Sequence, residues 1–308
     1  MADITAAMVK DLRERTGVGM MDCKAALTAN GGGMDASIDW LRAKGLAKAA
    51  KKSTRIAAEG LVGLALRGLT GAAVEVNSET DFVARNEKFQ AMVAEIARLA
   101  LDAGGSTEKL KVATYPGSHH AVAEYVAEMV ATIGENMTVR RTAVLSVTDG
   151  VIGSYVHNQA APGMGKIGVL VALESTGNKE ELAAFGRLLA MHVAATNPVA
   201  MTLDDVPPET LARERAILEE KNAGKPANVM DKIVASGLKT YAKENCLAEQ
   251  VYVHDGAKTV TQIIGEVAKA AGAPVKLLGY IRMQLGEGIE KPVDDFAAEV
   301  AKTARAAI

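Results

Sequence analysis

Glu59-Gly60-Leu61-Val62-Gly63 and Asp149-Gly150-Val151-Ile152-Gly153 state one short phrase twice, each time an acid and a glycine opening an apolar strand. The segments downstream of the two copies correspond as well. Gly71–Val76 (GAAVEV) and Gly168–Leu173 (GVLVAL) supply second strands for antiparallel hairpins. Helical spacing then takes over, with apolar residues at 89, 92, 93, 96, 99 and 100 in one copy and at 182, 185, 188, 189 and 193 in the other. A further helix and strand close each copy: Ala121–Ile133 with Val139–Val147, and Val260–Ala271 with Leu277–Leu285. The pattern predicts an α+β fold whose core is a duplicated ββααβ unit, two related subdomains rather than a solenoid.

Around this core the chain divides further. Residues 1–55 predict a three-helix module and a basic linker. The repeat Ile4, Met8, Leu12 and the group Ile38, Trp40, Leu41 carry its apolar faces, and glycines at 17, 19 and 31–33 punctuate it. The core subdomains are expected at 56–147 and at 148–203 with 250–295, and a C-terminal helical module at 296–308. The second copy contains an insertion, 204–249, with Pro207-Pro208 near its start and Gly224-Lys225-Pro226 dividing it. It predicts an antiparallel helical hairpin that packs on itself or on its parent domain; self-association as a homodimer is the alternative.

Composition narrows the function. In 308 residues, 35 Lys and Arg stand against 37 Asp and Glu, so no surface-wide affinity for nucleic acid is expected. A hydrophobic share of 49% with 23% charged residues describes an ordinary globular chain. No apolar run approaches the roughly 18 residues of a membrane span. Two cysteines, Cys23 and Cys246, make no disulfide framework, and Met1–Arg15 mixes acids and bases without a signal peptide's apolar stretch; a cytoplasmic location is expected. The six basic residues between Arg42 and Ala58, with Lys48, Lys51, Lys52 and Arg55 on one helical face, read as a solvated face more than an RNA patch, because no aromatic is interleaved.

Motifs for chemistry are weak. Gly163-Met164-Gly165-Lys166-Ile167 ends like a phosphate loop, but position 160 is Ala and 167 is Ile, so a hairpin turn is expected. Gly286-Glu287-Gly288 lacks the third glycine of a dinucleotide fingerprint, and the five histidines show no metal-binding spacing. No cofactor or metal is expected. Two segments stand out. In Asn77-Ser78-Glu79-Thr80-Asp81-Phe82-Val83, a Ser78-to-Asp81 capping pattern and an Asn86 cap account for the polar residues, leaving Phe82 as either a core plug or a partner-facing anchor. In Gly19-Met20-Met21-Asp22-Cys23-Lys24, the methionines serve either the small core or a partner surface.

Six segments taken in order resemble the bacterial elongation factor Ts family. They are Leu12–Gly17 with Gly19–Leu27, Thr80–Val83, Ile133-Gly134-Glu135-Asn136, Ala190–Ala195 (AMHVAA) and Gly286–Lys291. The resemblance implies a ubiquitin-associated-like N-terminal module, a two-subdomain core and a coiled-coil hairpin. It also implies a guanine-nucleotide exchange factor, not a bond-making enzyme, that releases GDP from elongation factor Tu. Thr80, Asp81, Phe82 and Val83 would displace the partner's Mg²⁺. Arg13, Met20, Met21, Ile133, Gly134 and His157 would contact the partner, with Asn158–Gly165 expected to lengthen the turn after His157. An RNA-binding or structural translation accessory protein is the competing reading, and a metal-free enzyme with a scattered site the third.

Overall fold

The computed structural model describes residues 4–16 and 18–290, and of residues 46–48 the helical backbone alone. The expected 296–308 module, Gly17, Lys291 and the Lys48 side chain lie outside the described residues.

The N-terminal module consists of α1 (Ala6–Thr16), α2 (Met20–Ala29) and α3 (Met34–Lys52) around buried Val9, Leu12, Cys23, Ala26, Leu27 and Leu41. The sequence suggested a short third helix and then a separate linker helix. They form one continuous helix of 19 residues, because no breaker stronger than the isolated Gly45 interrupts the run. Gly45 is itself a contact: a β-carbon there would stand 2.9 Å from that of Ala131 in α7 (Val122–Ile133), so glycine lets the two helices approach. Arg42 pairs with Glu128 of α7 at 3.4 Å beside the same contact.

The core contains β1 (Glu59–Arg67), β2 (Thr70–Ser78), α4 (Asp81–Ala84), α5 (Glu87–Ala100), α6 (Thr107–Val112), α7 and β3 (Met137–Ser146). Then come β4 (Gly150–Ala161), β5 (Met164–Glu174), α8 (Lys179–Thr196), α9 (Pro208–Lys221), α10 (Ala227–Asn245), α11 (Val260–Ala271) and β6 (Lys276–Gln284). All strand pairs are antiparallel, in the order β3-β2-β1 and β4-β5-β6. The two runs join where Val62 and Gly63 meet Gly165 and Met164.

The glycines of the opening phrase act alike in both runs. Gly60 and Gly150 have φ of +117° and +145°, and a β-carbon on either would sit 2.2 and 2.0 Å from the carbonyl oxygens of Val76 and Leu173 on the neighbouring strand. Only glycine fits there. Three residues on, Gly63 lies beneath Val93 of α5 and Gly153 directly against Gly186 of α8, so each sheet receives its covering helix through a missing side chain. Opposite the helices, alternate residues of both runs meet in one apolar cluster that includes Val62, Ala73, Leu170 and Met283. The sheets are therefore the inner layers and the helices the outer ones.

On that inner face lies Glu75, a fully buried carboxylate in β2. Arg140 Nη1 donates to both its oxygens at 3.0 and 3.1 Å, Arg141 Nε to Oε2 at 2.6 Å, Asn77 Nδ2 to Oε1 at 3.0 Å and the Gly286 N–H to Oε1 at 2.8 Å. Consecutive strand residues normally point to opposite faces. A bulge resolves this, since Glu75 pairs with Arg141 and Val76 with Val139, which leaves Arg140 extra and both guanidiniums on one side. Burial pushes the Glu75 carboxyl up, but the bonds from Gly286, Asn77 and Arg141, with the charge of Arg141, outweigh it and hold it below the ordinary carboxylate range.

Three details depart from the sequence expectations. Leu188, placed on the apolar face of α8, is exposed. The stretch after His157 is continued strand up to Ala161, with a bulge near Gln159 and a turn only at Pro162-Gly163, because Asn158 takes a left-handed φ of 51° and the chain resumes its ladder. Ser78 caps no helix: its hydroxyl donates to the Thr80 carbonyl at 3.0 Å. The insertion forms α9 and α10, with Gly237 making room for Leu218. Its base is integral, since Val206, Ala242 and Cys246 are buried together and Leu247 belongs to the second core cluster.

Two measurements test this architecture. A depressed folded-state pKa stabilises above the unfolded value, about 4.3 for Glu, and is lost as pH falls through the folded value. Glu75→Gln should therefore cost about 3 kcal/mol at pH 7, the low end for a broken buried pair because both arginines remain partly hydrated, and the gap to wild type should begin to narrow below about pH 4 and keep closing as pH falls through the folded value. A gap that does not vary with pH would contradict the assignment. Replacing residues 212–238 by a short Gly/Ser loop should keep calorimetric unfolding cooperative, whereas removing 204–249 should abolish it.

Candidate functional site

Helix α4 follows β2 after a two-residue connection, and its few residues turn about 100° each, so adjacent side chains can differ in burial. Val83 and Ala84 pack into the first core cluster. Phe82, between Asp81 and Val83, is 75% exposed. That rejects the core plug and leaves a large apolar ring in solvent, with about 2 kcal/mol of burial unrealised. Asp81 pairs with Arg85 at 3.2 Å on the outside of the turn. Asn86 caps α5 as expected, accepting from the amides of Lys88 and Phe89 at 3.0 and 3.3 Å, and Gln90 Nε2 donates to the Ala84 carbonyl at 2.8 Å. The exposed ring thus stands on a short helix with a fixed exit.

The other predicted contacts distribute around it. Met20 and Met21 are 49% and 80% exposed at the first turn of α2, while Cys23, Ala26 and Leu27 fill the module's core, so the methionines form a surface. Arg13 is exposed and lines a cleft with Lys10, Glu14 and Lys88, which places α1 beside the start of α5. Ile133 packs partly into the first core cluster, and Gly134 ends α7 with a left-handed φ of +96°. These two are brought to the Phe82 turn by their neighbour Glu135, whose carboxylate accepts from the Thr80 N–H at 2.9 Å and the Thr80 hydroxyl at 2.7 Å. His157 stands apart on β4, exposed, with its Nδ1 3.1 Å from the Tyr155 hydroxyl.

The linker meets the same place. Lys52 Nζ donates to the Gly134 carbonyl, and Arg55 pairs with Glu79 at 3.5 Å. Two of the cations assigned to a basic face are therefore engaged within the molecule. Sequence reading missed Glu79 and Glu135 as supports; the Ile133–Asn136 segment was the available signal, but nothing local reveals that its carboxylate reaches back to Thr80.

Among the described residues no group of three or more His, Cys, Asp and Glu side chains is placed to hold a metal. His192, from the AMHVAA segment, is buried and structural. Its Nδ1 accepts from the Val253 N–H at 3.3 Å, so the Nε2 proton goes to Gln250 Oε1 at 3.1 Å. Burial lowers its pKa, the Gln250 bond raises it and His254 lowers it, with a net fall that keeps the ring neutral.

The profile of the family described as Elongation factor TS matches residues 79–287, a span that runs from the Phe82 turn to the Gly286 turn under Glu75. The chain belongs to the elongation factor Ts family. Elongation factor Ts from Methylobacterium sp. strain 4-46 is 60% identical over 302 residues, 98% of each chain. That of Methylorubrum populi is 60% identical over 306 residues, 99% of this chain and all of its own, and that of Xanthobacter autotrophicus 58% identical over 304 residues, 99% of each. No described helix of this family member is long and apolar enough to cross a membrane.

Exposure sets the stability expectation for the site. Phe82→Ala and the Met20→Ala, Met21→Ala pair should each change urea unfolding by about 1 kcal/mol or less, against about 3–5 kcal/mol for a buried Phe. Buried Val83→Ala should lose about 2 kcal/mol. Reversal of that order would return Phe82 to the core.

Proposed function

We propose that this protein is a guanine-nucleotide exchange factor that promotes GDP release from elongation factor Tu during translation elongation, and that it acts through the Thr80–Val83 turn. The observation that carries the proposal is the exposed Phe82 on a braced turn. Mg²⁺ requires near-octahedral oxygen coordination and bridges nucleotide phosphate to protein. An aromatic ring wedged beside such a site, with Asp81 at its flank, disrupts the geometry without touching the nucleotide, and weakened metal binding weakens phosphate binding. Thr80 and Val83 act as anchors of the wedge: one is bonded to Glu135, the other buried. Family membership supports the partner's identity and a role that consists of binding rather than bond-making.

On this reading the partner meets a broad surface. Arg13, Met20 and Met21 of the N-terminal module (1–55), Ile133 and Gly134 of the first subdomain (56–147) and His157 of the second (148–203 with 250–295) contribute to it. The matching glycines of β1 and β4 favour an origin of the two subdomains by duplication. The hairpin within 204–249 leaves Ile217 and Val229 exposed, a surface suited to a second copy of the chain. RNA binding through the linker is the weaker alternative, since Lys52 and Arg55 already have partners.

Exchange requires tighter binding to the empty partner than to the GDP-bound one, and the coupling is reciprocal. Excess GDP with Mg²⁺ should therefore dissociate the complex. Phe82→Ala should slow release of a fluorescent GDP analogue by about tenfold or more, corresponding to about 1.4 kcal/mol of lost transition-state contact, at millimolar Mg²⁺. The defect should shrink under chelation, because chelation performs the step the ring assists. A defect indifferent to Mg²⁺ would refute metal displacement.

A further inference from the structure

We infer that Glu135 is the positioning residue of the Phe82 turn, and that residues 134–136 join this turn to the linker helix so that wedge and N-terminal module face a partner as one rigid surface. The inference rests on the reading of that turn as the exchange element. Thr80 sits at the N-cap of α4, where a threonine hydroxyl ordinarily accepts from the helix's own first-turn amides. Here it makes no such cap. Its hydroxyl and its N–H both donate instead to Glu135, a residue 55 positions later. A bidentate, charge-assisted pair to one residue fixes orientation as well as distance. Helix α4 has only four residues and cannot hold its own phase, so the carboxylate at its start, acting with buried Val83 and Ala84 at its end, sets where Phe82 points.

The same segment is bonded in the other direction. The Asn136 N–H donates to Glu79 Oε1 at 2.5 Å, and Asn136 Nδ2 donates to the Arg55 carbonyl at 2.7 Å. Lys52 Nζ reaches the Gly134 carbonyl, and Arg55 pairs with Glu79 at 3.5 Å. Glu79 and Thr80 on one side, Lys52 and Arg55 on the other, are thus tied to three consecutive residues. Asn136 is buried and Glu135 partly so, which limits competition from water. Displacing the linker would loosen the turn, and loosening the turn would cost the linker a partner.

The test uses the full chain with Glu135→Ala, Glu135→Gln and the conservative Thr80→Ser. In the free protein, hydrogen exchange is read at the Thr80 amide and at the Arg85 and Asn86 amides that close α4 on Phe82 and Val83. Glu135→Ala should speed these by about tenfold, as expected for losing a charge-assisted bond, with the thermal midpoint nearly unchanged. Glu135→Gln keeps one acceptor and should fall between, and Thr80→Ser should match wild type. Glu135→Ala should then lower the maximal rate of catalysed GDP release about tenfold while the half-saturating concentration changes less than about threefold, since the surface persists but the ring is no longer preset. Unchanged amide protection, or protection lost throughout the first subdomain together with a lowered midpoint, overturns the positioning role. A loosened turn with normal GDP release overturns its functional consequence when Phe82→Ala is itself defective. If Phe82→Ala is also normal, the exchange role of the turn has failed and not the bracing by Glu135.

Discussion

One buried carboxylate sets the relation between the two halves of this molecule. Glu75 lies where the inner faces of the two sheet runs meet, and it accepts from two arginines of β3, an asparagine of its own strand and the backbone of the turn after β6. An unpaired carboxylate there would be worth several kcal/mol of destabilisation, so the site tolerates only the arrangement in which all donors arrive together. Apolar packing between sheets is permissive about register. A charge with five directed bonds is not. The same turn is tightened by Arg140 and Arg141, which also donate to the carbonyls of Glu287 and Gln284, and by Gly286, where a β-carbon would stand 2.5 Å from the Ala58 carbonyl. The chain's entry into the first half and its exit from the second are thereby held at one point.

That fixed frame lets the molecule carry large apolar side chains in solvent. Phe82, Met20 and Met21 forgo burial, and each is flanked by residues that do not: Val83 and Ala84 in one case, Cys23, Ala26 and Leu27 in the other. Burial of the neighbours holds the backbone while the exposed side chains remain free to be covered by a partner. The braces around Thr80 add direction to this, because a short helix next to a strand end has no cooperative stability of its own.

The N-terminal module is coupled to the core through one long helix rather than a loose tether. The approach of α3 to α7 at Gly45 and Ala131, the Arg42–Glu128 pair and the Lys52 bond to Gly134 act along its length. Orientation of the methionine surface relative to Phe82 is therefore a property of helix packing. The hairpin is attached differently: its base is shared with the second core cluster, and its tip leaves Ile217 and Val229 exposed.

The sequence alone determined those features whose signals are periodic or local. The apolar runs of β1 and β5, the helical spacing of α5, the Asn86 cap and the doubled acid-glycine phrase each depend on residues within one helix or one strand. The segments shared with the elongation factor Ts family are likewise contiguous. Tertiary structure decided what contiguous reading leaves open: that Phe82 and the methionines face outward, that α3 runs unbroken through the linker, that Leu188 is exposed and that Ser78 is no cap. It also created the two charged supports, Glu75 and Glu135, whose partners lie as much as 211 and 55 residues away along the chain. A glutamate in an apolar strand and a glutamate after a helix carry no local mark of such partners. Their roles exist only once the backbone has brought the donors within hydrogen-bond reach, because a directed bond is specified by position in space and a hydrophobic period by position in sequence.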